Sequence, residues 1–267
     1  MRKKAFITAV KYLFLSIVVF FLLMPLILTF CNSFVSPEDM TANLGKITLI
    51  PARVSLMQYY QAFFRRPRLL IMFWNSVIIT LPIILGQVIV STLAAYGFAK
   101  LIFPFRDNIF ILFVILLMLP PQASMVSNYL SLDFFRLINT YMSVILPGMF
   151  SAFGICLLRQ YMRYIPYETC EAAKIDGANA MQTFLYIVTP QAKGGIASLV
   201  VLAFIDNWNM IEQPLVFLKD NSKYPMSVYL AFTGDNGIAM AFGVFFMILP
   251  ISVFLYFEKD FVKGIRL

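Results

Sequence analysis

One stretch of this 267-residue chain sets carboxylates and amides among apolar residues: Phe204-Ile-Asp-Asn-Trp-Asn-Met-Ile-Glu-Gln-Pro214. Helical spacing puts Asp206, Asn209 and Gln213 on one face and Glu212 on another, near Trp208. An aromatic ring beside amides and carboxylates suits a sugar: the ring packs on C–H faces and the polar groups bond hydroxyls. The same residues equally suit packing between subunits, a position at a wet interface, or proton coupling through Asp206 or Glu212. A second polar stretch, about residues 165–190, holds Glu168, Glu171, Asp176 and Gly177. Catalytic chemistry has little to draw on. The chain has no His, and so lacks the commonest general base and metal ligand. Cys31, Cys156 and Cys170 are far apart and form no CxxC, which points to apolar fillers or free thiols rather than a disulfide framework or a metal site.

The elements that hold these residues are apolar. Hydrophobic residues make up 61% of the chain and charged residues 13%, about half the charge of a soluble domain. Stretches free of acidic and basic residues run over 12–37, 69–99, 108–132, 137–158 and 236–257, and a sixth, 194–218, is interrupted by Asp206 and Glu212. A spanning helix needs about 20 mostly apolar residues. The pattern predicts an all-α membrane protein forming one domain over 1–267. Its six spans fall at about 12–35, 70–98, 108–130, 138–158, 195–218 and 237–257. The first run is too long for a signal-peptide core and lacks a clean cleavage site, so it reads as a retained helix.

The net charge is +8. In an apolar chain such an excess marks loops that hold orientation rather than a nucleic-acid partner. With the N-terminus inside, thirteen of the 21 basic residues fall on the inner side, Lys263 and Arg266 among them, which predicts both termini in the cytoplasm. The cluster Arg65, Arg66 and Arg68 runs against that bias. The 165–190 stretch is then a cytoplasmic loop. Pro166 and Glu168 start a helix, Gly177 breaks it, and a second helix carries an apolar stripe of Met181, Phe184, Leu185 and Val188 before Pro190 closes it. An exposed helix pair with an apolar face calls for a partner groove or the headgroup region.

That loop resembles the EAA signature of ABC-importer permeases, matching at Glu171, Ala172, Ala173, Asp176, Gly177, Ala178, Phe184, Ile187 and Pro190. It departs at Thr189, where Leu is usual, and at Gly194, where Pro is usual. Further segments are similar to the shorter permease subunit of maltose-type carbohydrate importers: Asn75-Ser76, Ala94–Lys100, Phe103–Arg106, Leu137–Tyr141, Ser151–Gln160, and Trp208-Asn209 with Pro214–Leu218. The resemblance implies a type I importer permease with a two-helix coupling loop, in a bacterial inner membrane. It implies a second homologous permease forming a heterodimer, two ABC ATPase subunits docked on the loops, and an external or periplasmic sugar-binding protein. Glu168, Glu171, Asp176 and Gly177 would meet the ATPase, with Ala172, Ala173 and Ala178 allowing close approach and Phe184 and Pro190 completing the motif.

No cofactor is expected on this chain. Its only Gly-Lys pair, Gly45-Lys46, is followed by Ile rather than Ser or Thr, so ATP and Mg belong to the partner ATPases. The rival reading is a proton-coupled carrier acting alone through Asp206 or Glu212. A carrier would show an internal repeat and no docking loop, and this chain has the reverse.

Overall fold

The computed structural model describes residues 2–42, 53–234 and 236–265, so Gly45-Lys46 and Arg266 lie outside the described residues. The chain divides into two compact units. The first comprises residues 1–70 and 232–248, the second residues 71–231 and 249–267.

The first unit contains α1 (Arg2–Asn32), α2 (Pro37–Ala42) and α3 (Met57–Tyr60), which runs on as a π-helical turn, Gln61–Arg65. The 27 residues Phe6–Asn32 are long and apolar enough to cross a membrane, and an 18-residue apolar stretch within them has no buried residue. Phe63 stacks on Phe242, 5.0 Å between ring centroids. Val35 and Val54 form an isolated antiparallel bridge.

The second unit is built on α4 (Pro67–Lys100), whose Pro67 occupies a first-turn position where its missing N–H costs nothing. Then follow α5 (Arg106–Met118), α6 (Pro121–Phe134), α7 (Met142–Gly148), α8 (Ala152–Tyr164), α9 (Tyr167–Ile175) and α10 (Ala180–Thr183). A π-helical turn, Phe184–Val188, leads to α11 (Thr189–Gln191), α12 (Lys193–Trp208), α13 (Glu212–Phe217) and α14 (Met226–Phe232). The last helix, α15 (Asn236–Ile265), ends in this unit.

Among the described residues four helices are long and apolar enough to span a membrane, or up to six if each of two bent pairs is one span. The third expected span is such a pair: α5 and α6 meet at 104°, because Pro120 and Pro121 remove two backbone donors where the helix would continue. The fifth also differs from expectation. Its helix stops at Trp208 rather than running to 218, Asn209–Ile211 are non-helical, and α13 restarts at Glu212. Pro214 sits in the first turn of α13, where its ring would clash with the preceding turn of a continuous helix.

Along α4, buried polar side chains reach backbone groups of other elements, which satisfies them in a low-dielectric interior. Asn75 donates to the carbonyls of Ser222 (2.8 Å) and Tyr224 (3.1 Å), and its own oxygen accepts from the Tyr141 hydroxyl (2.8 Å). The Ser76 hydroxyl accepts from the Met226 N–H at 2.9 Å, and Gln87 donates to the Gly148 carbonyl at 2.7 Å. Beside this ladder, Ile79, Ile83, Leu132, Val144, Ile145, Phe217 and Leu218 form a buried apolar cluster. Asn139 adopts a left-handed conformation (φ 64°), and its side-chain oxygen accepts from the N–H groups of Lys219 (3.0 Å) and Asp220 (2.9 Å). The Asn75-Ser76 and Leu137–Tyr141 segments therefore act as clamps on the 217–226 connection.

Candidate functional site: a coupling hairpin and a polar cavity

The 165–190 stretch leaves the body at the end of α8 and returns at the start of α12. These two helices pack so closely that a methyl group placed on Gly195 would lie 2.6 Å from the Tyr161 ring. The loop thus has one narrow base. Helix α8 is anchored there by Ile155, Leu158 and Met162, spaced three and four apart and buried.

The turn between the two arms is a Schellman motif. Gly177 has φ +88°, its N–H donates to the Lys174 carbonyl (3.1 Å), and the Ala178 N–H donates to the Ala173 carbonyl (2.9 Å). A left-handed residue at this point favours Gly, and a side chain there is strained although nothing lies within 4 Å of the added carbon. The second arm opens with a capping box: Asn179 Oδ1 accepts from the Gln182 N–H and Gln182 Oε1 accepts from the Asn179 N–H, both at 2.9 Å. The Asn-x-x-Gln spacing is the sequence signal for this cap.

Two residues at the end of α4 tie the hairpin down. The buried Lys100 ammonium donates to the Ile165 carbonyl, just before α9. The Tyr96 hydroxyl donates to the Ala180 carbonyl (3.1 Å), and its ring lies 5.1 Å from that of Phe184. Tyr96 and Lys100 are one helical turn apart at the polar end of an apolar run, and that spacing is what could have marked them as a pair.

The motif residues separate into two groups. Glu168, Glu171, Ala172, Asp176, Gly177 and Pro190 are exposed, with Ala178 half-buried. Ala173 (5% exposed) and Phe184 (7%) instead face the chain's own body. The expected apolar stripe is also divided. Phe184 and Val188 are buried, while Met181 and Leu185 are exposed, as are Tyr186 and Ile175; the π-helical turn at Phe184–Val188 takes Leu185 and the positions after it out of α-helical register. Pro190 does not close the arm: the helical path continues to Gln191 and bends 74° into α12. Thr189, at the usual Leu position, has a buried hydroxyl with no hydrogen-bond partner among the described residues.

The second feature is a cavity of about 320 Å³, lined by residues of α4, α6, α7, α8, α12 and α13 and the segments between them. Asp206 and Gln213 reach it, joined by Gln87, Ser124, Asn128, Ser151 and Asn207. The other expected pathway residues lie elsewhere. Asn209 donates back to the Ile205 carbonyl (2.8 Å), and Glu212 accepts from the Gln122 amide (3.1 and 3.3 Å). Trp208 is 2% exposed, stacked on Phe204 at 5.2 Å and edge-on to Phe73 at 5.8 Å. The break after Trp208 is the cause: 206, 209 and 213 would share a face only on an unbroken helix. Among the described residues no Lys or Arg lines the cavity.

Residues 55–263 match the model of the family described as binding-protein-dependent transport system inner membrane component. The chain belongs to that family. Relatives of this permease include the lactose transport system permease protein LacG of Rhizobium radiobacter, 29% identical over 96% of this chain and 93% of that one. The arabinooligosaccharides transport system permease protein AraQ of Halalkalibacterium halodurans is 28% identical over 98% and 94%. The sn-glycerol-3-phosphate transport system permease protein UgpE of Yersinia pestis is 34% identical over 73% and 72%. The fold is that of a solved chain in a bacterial ABC transporter involved in import of the acidic polysaccharide alginate, with a TM-score of 0.84, 22% identity and 98% of both chains covered. The chain is thus a permease component of an ABC importer, a transport protein rather than an enzyme, and ATP hydrolysis in such systems lies on separate subunits. The comparisons give the lone proton-coupled carrier no support.

Proposed function

We propose that residues 1–267 act as one membrane domain forming half of the translocation pathway of a carbohydrate importer. A second, homologous permease forms the other half. Two ATPase subunits dock on the hairpins and carry the ATP and Mg, and an external sugar-binding protein delivers the substrate. Both termini lie on the cytoplasmic side of a bacterial inner membrane.

The observation that carries this reading is the hairpin. Its two arms are fixed by a Schellman turn and a capping box, and its base is held by Lys100 and Tyr96, so it moves as a unit with the helices that emit it. Its outer surface pairs acidic Glu168, Glu171 and Asp176 with apolar Ile175, Met181 and Leu185. Closure of the ATPase dimer on ATP would push this lever and switch the helices between inward-open and outward-open forms.

The cavity supports a neutral, hydroxyl-rich substrate. Among the described residues, amides and hydroxyls surround a single carboxylate and no cation joins the lining, so a phosphate or uronate would meet Asp206 unpaired. The relatives named for lactose and arabinooligosaccharides, which align over nearly the whole chain, agree with that preference more than the one named for glycerol phosphate does.

Purification from native membranes in mild detergent tests the assembly. Recovery of a second permease, an ATPase and a sugar-binding protein supports the reading. Recovery of the chain alone with no ATPase activity contradicts it.

A further inference from the structure

At the hairpin end of the second unit, α4, α5 and α8 enclose a separate cleft of about 310 Å³ that coupling leaves unused. Three arginines line it. The Arg159 guanidinium lies 3.7 Å from the centre of the Phe110 ring, while its Nε donates to the Phe98 carbonyl (3.4 Å) and its Nη2 to Asp107 Oδ1 (3.3 Å). Arg106 places Nε and Nη2 on the two oxygens of Asp107, each at 3.2 Å, and Nη1 on the Leu101 carbonyl at 3.3 Å. Arg163, one turn beyond Arg159, is exposed and makes no ion pair among the described residues. Three guanidinium groups therefore face one carboxylate. The cleft wall is apolar at Ile111, and that wall continues along α5 through the exposed Ile115.

We propose that this cleft binds a phosphate ester, and specifically the headgroup of an anionic phospholipid. Planar guanidinium donors suit phosphate oxygens. The surplus of cations selects an anionic headgroup over a zwitterionic one. The shared chemistry is phosphate recognition, and a free phosphate ion would satisfy the arginines alone. The apolar wall leading away from them decides for the lipid, because an acyl chain has a surface to follow and an inorganic ion has no use for it. Asp107 plays a defined part: it holds Arg106 and Arg159 in place, and it repels the incoming phosphate.

The test uses the transporter purified with its co-purifying subunits, delipidated in detergent and titrated during native mass spectrometry. The probes are phosphatidylglycerol, phosphatidylcholine and inorganic phosphate. Phosphatidylglycerol is expected to bind about tenfold or more tighter than phosphatidylcholine, with an excess of inorganic phosphate failing to displace it. Arg163→Gln is expected to weaken phosphatidylglycerol binding about tenfold, the loss of one charge-assisted contact. Asp107→Asn, whose amide oxygen still accepts from an arginine while the negative charge is gone, is expected to tighten it several-fold, and weaker binding in this variant overturns the proposal. Equal retention of the two lipids, or an Arg163→Gln protein that binds like the parent, overturns the proposal. Displacement by inorganic phosphate overturns the lipid assignment and leaves a free-anion site. Cross-linking from position 163 into a protein subunit without lipid retention overturns it in favour of a protein contact.

Discussion

The 165–191 hairpin and the Asp206 cavity are assembled in opposite ways. The hairpin is contiguous in sequence. Its turn, cap and exposed surface all come from residues 165–191, with Tyr96 and Lys100 as the outside supports. The cavity gathers residues from six helices and their connections between Gln87 and Phe217. A surface that pushes on another protein has to keep its own shape and move as a piece, which local hydrogen bonds provide. A lining that contacts a passing solute has to come apart as the helices move, which a nonlocal assembly allows. Damage to the hairpin should therefore stop transport whatever the solute, and damage to the cavity should change what is transported or how tightly.

Gly177→Asp breaks the comparison most severely. It forces a β-carbon and a charge into a left-handed turn, at about 1–2 kcal/mol for the conformation alone. Uptake should fall to background while the protein still inserts, measured by transport of labelled sugar in cells with immunoblotted membranes. Normal uptake would remove the hairpin from the mechanism. Lys100→Met comes next. It leaves the Ile165 carbonyl without its donor, at about 1–3 kcal/mol. Proteolysis within 165–191 should accelerate, and ATP hydrolysis should lose most of its stimulation by substrate.

Asp206→Asn sharpens the other side. It should shift the apparent affinity for the sugar several-fold and leave basal ATP hydrolysis and hairpin proteolysis unchanged. An uncoupled ATPase in this variant would place Asp206 at a gate or subunit contact instead. The smallest effect is expected from Thr189→Val, which keeps the shape and deletes a buried hydroxyl that has no partner among the described residues. It should be neutral or raise thermal stability by up to about 1 kcal/mol. A clear loss of transport would mean that the hydroxyl meets a group of another subunit.

Legibility in the sequence followed the same division. The apolar runs predicted the spanning helices, and Glu171 through Ala178 predicted the broken helix pair, because each depends on neighbours in the chain. The π-helical turn at Phe184–Val188 was not legible. Nothing in Phe-Leu-Tyr-Ile-Val separates it from an α-helix, yet within it Leu185 is exposed while Phe184 and Val188 are buried. In the cavity, Asp206 and Gln213 were found as polar exceptions in an apolar stretch. Helical register places Asn209 on their face and Trp208 near Glu212 on another, and the break at 209–211 ends that register. Gln87, Ser124, Asn128 and Ser151 are unremarkable in their own segments and gain meaning only from tertiary packing.

The central claim is that the exposed arm of the hairpin seats on an ATPase subunit. Cross-linking tests it most directly, in a chain whose three cysteines are first replaced by serine or alanine. Ile175→Cys and Met181→Cys, on the outer surface and each alkylated with a thiol-reactive photo-cross-linker, should each form a cross-linked product with the ATPase on illumination, with a yield that changes when ATP is added. Ala173→Cys, facing inward, should form none. If neither outer position links to an ATPase in a transport-competent complex, while the inward position does or none do, the hairpin is not the docking element.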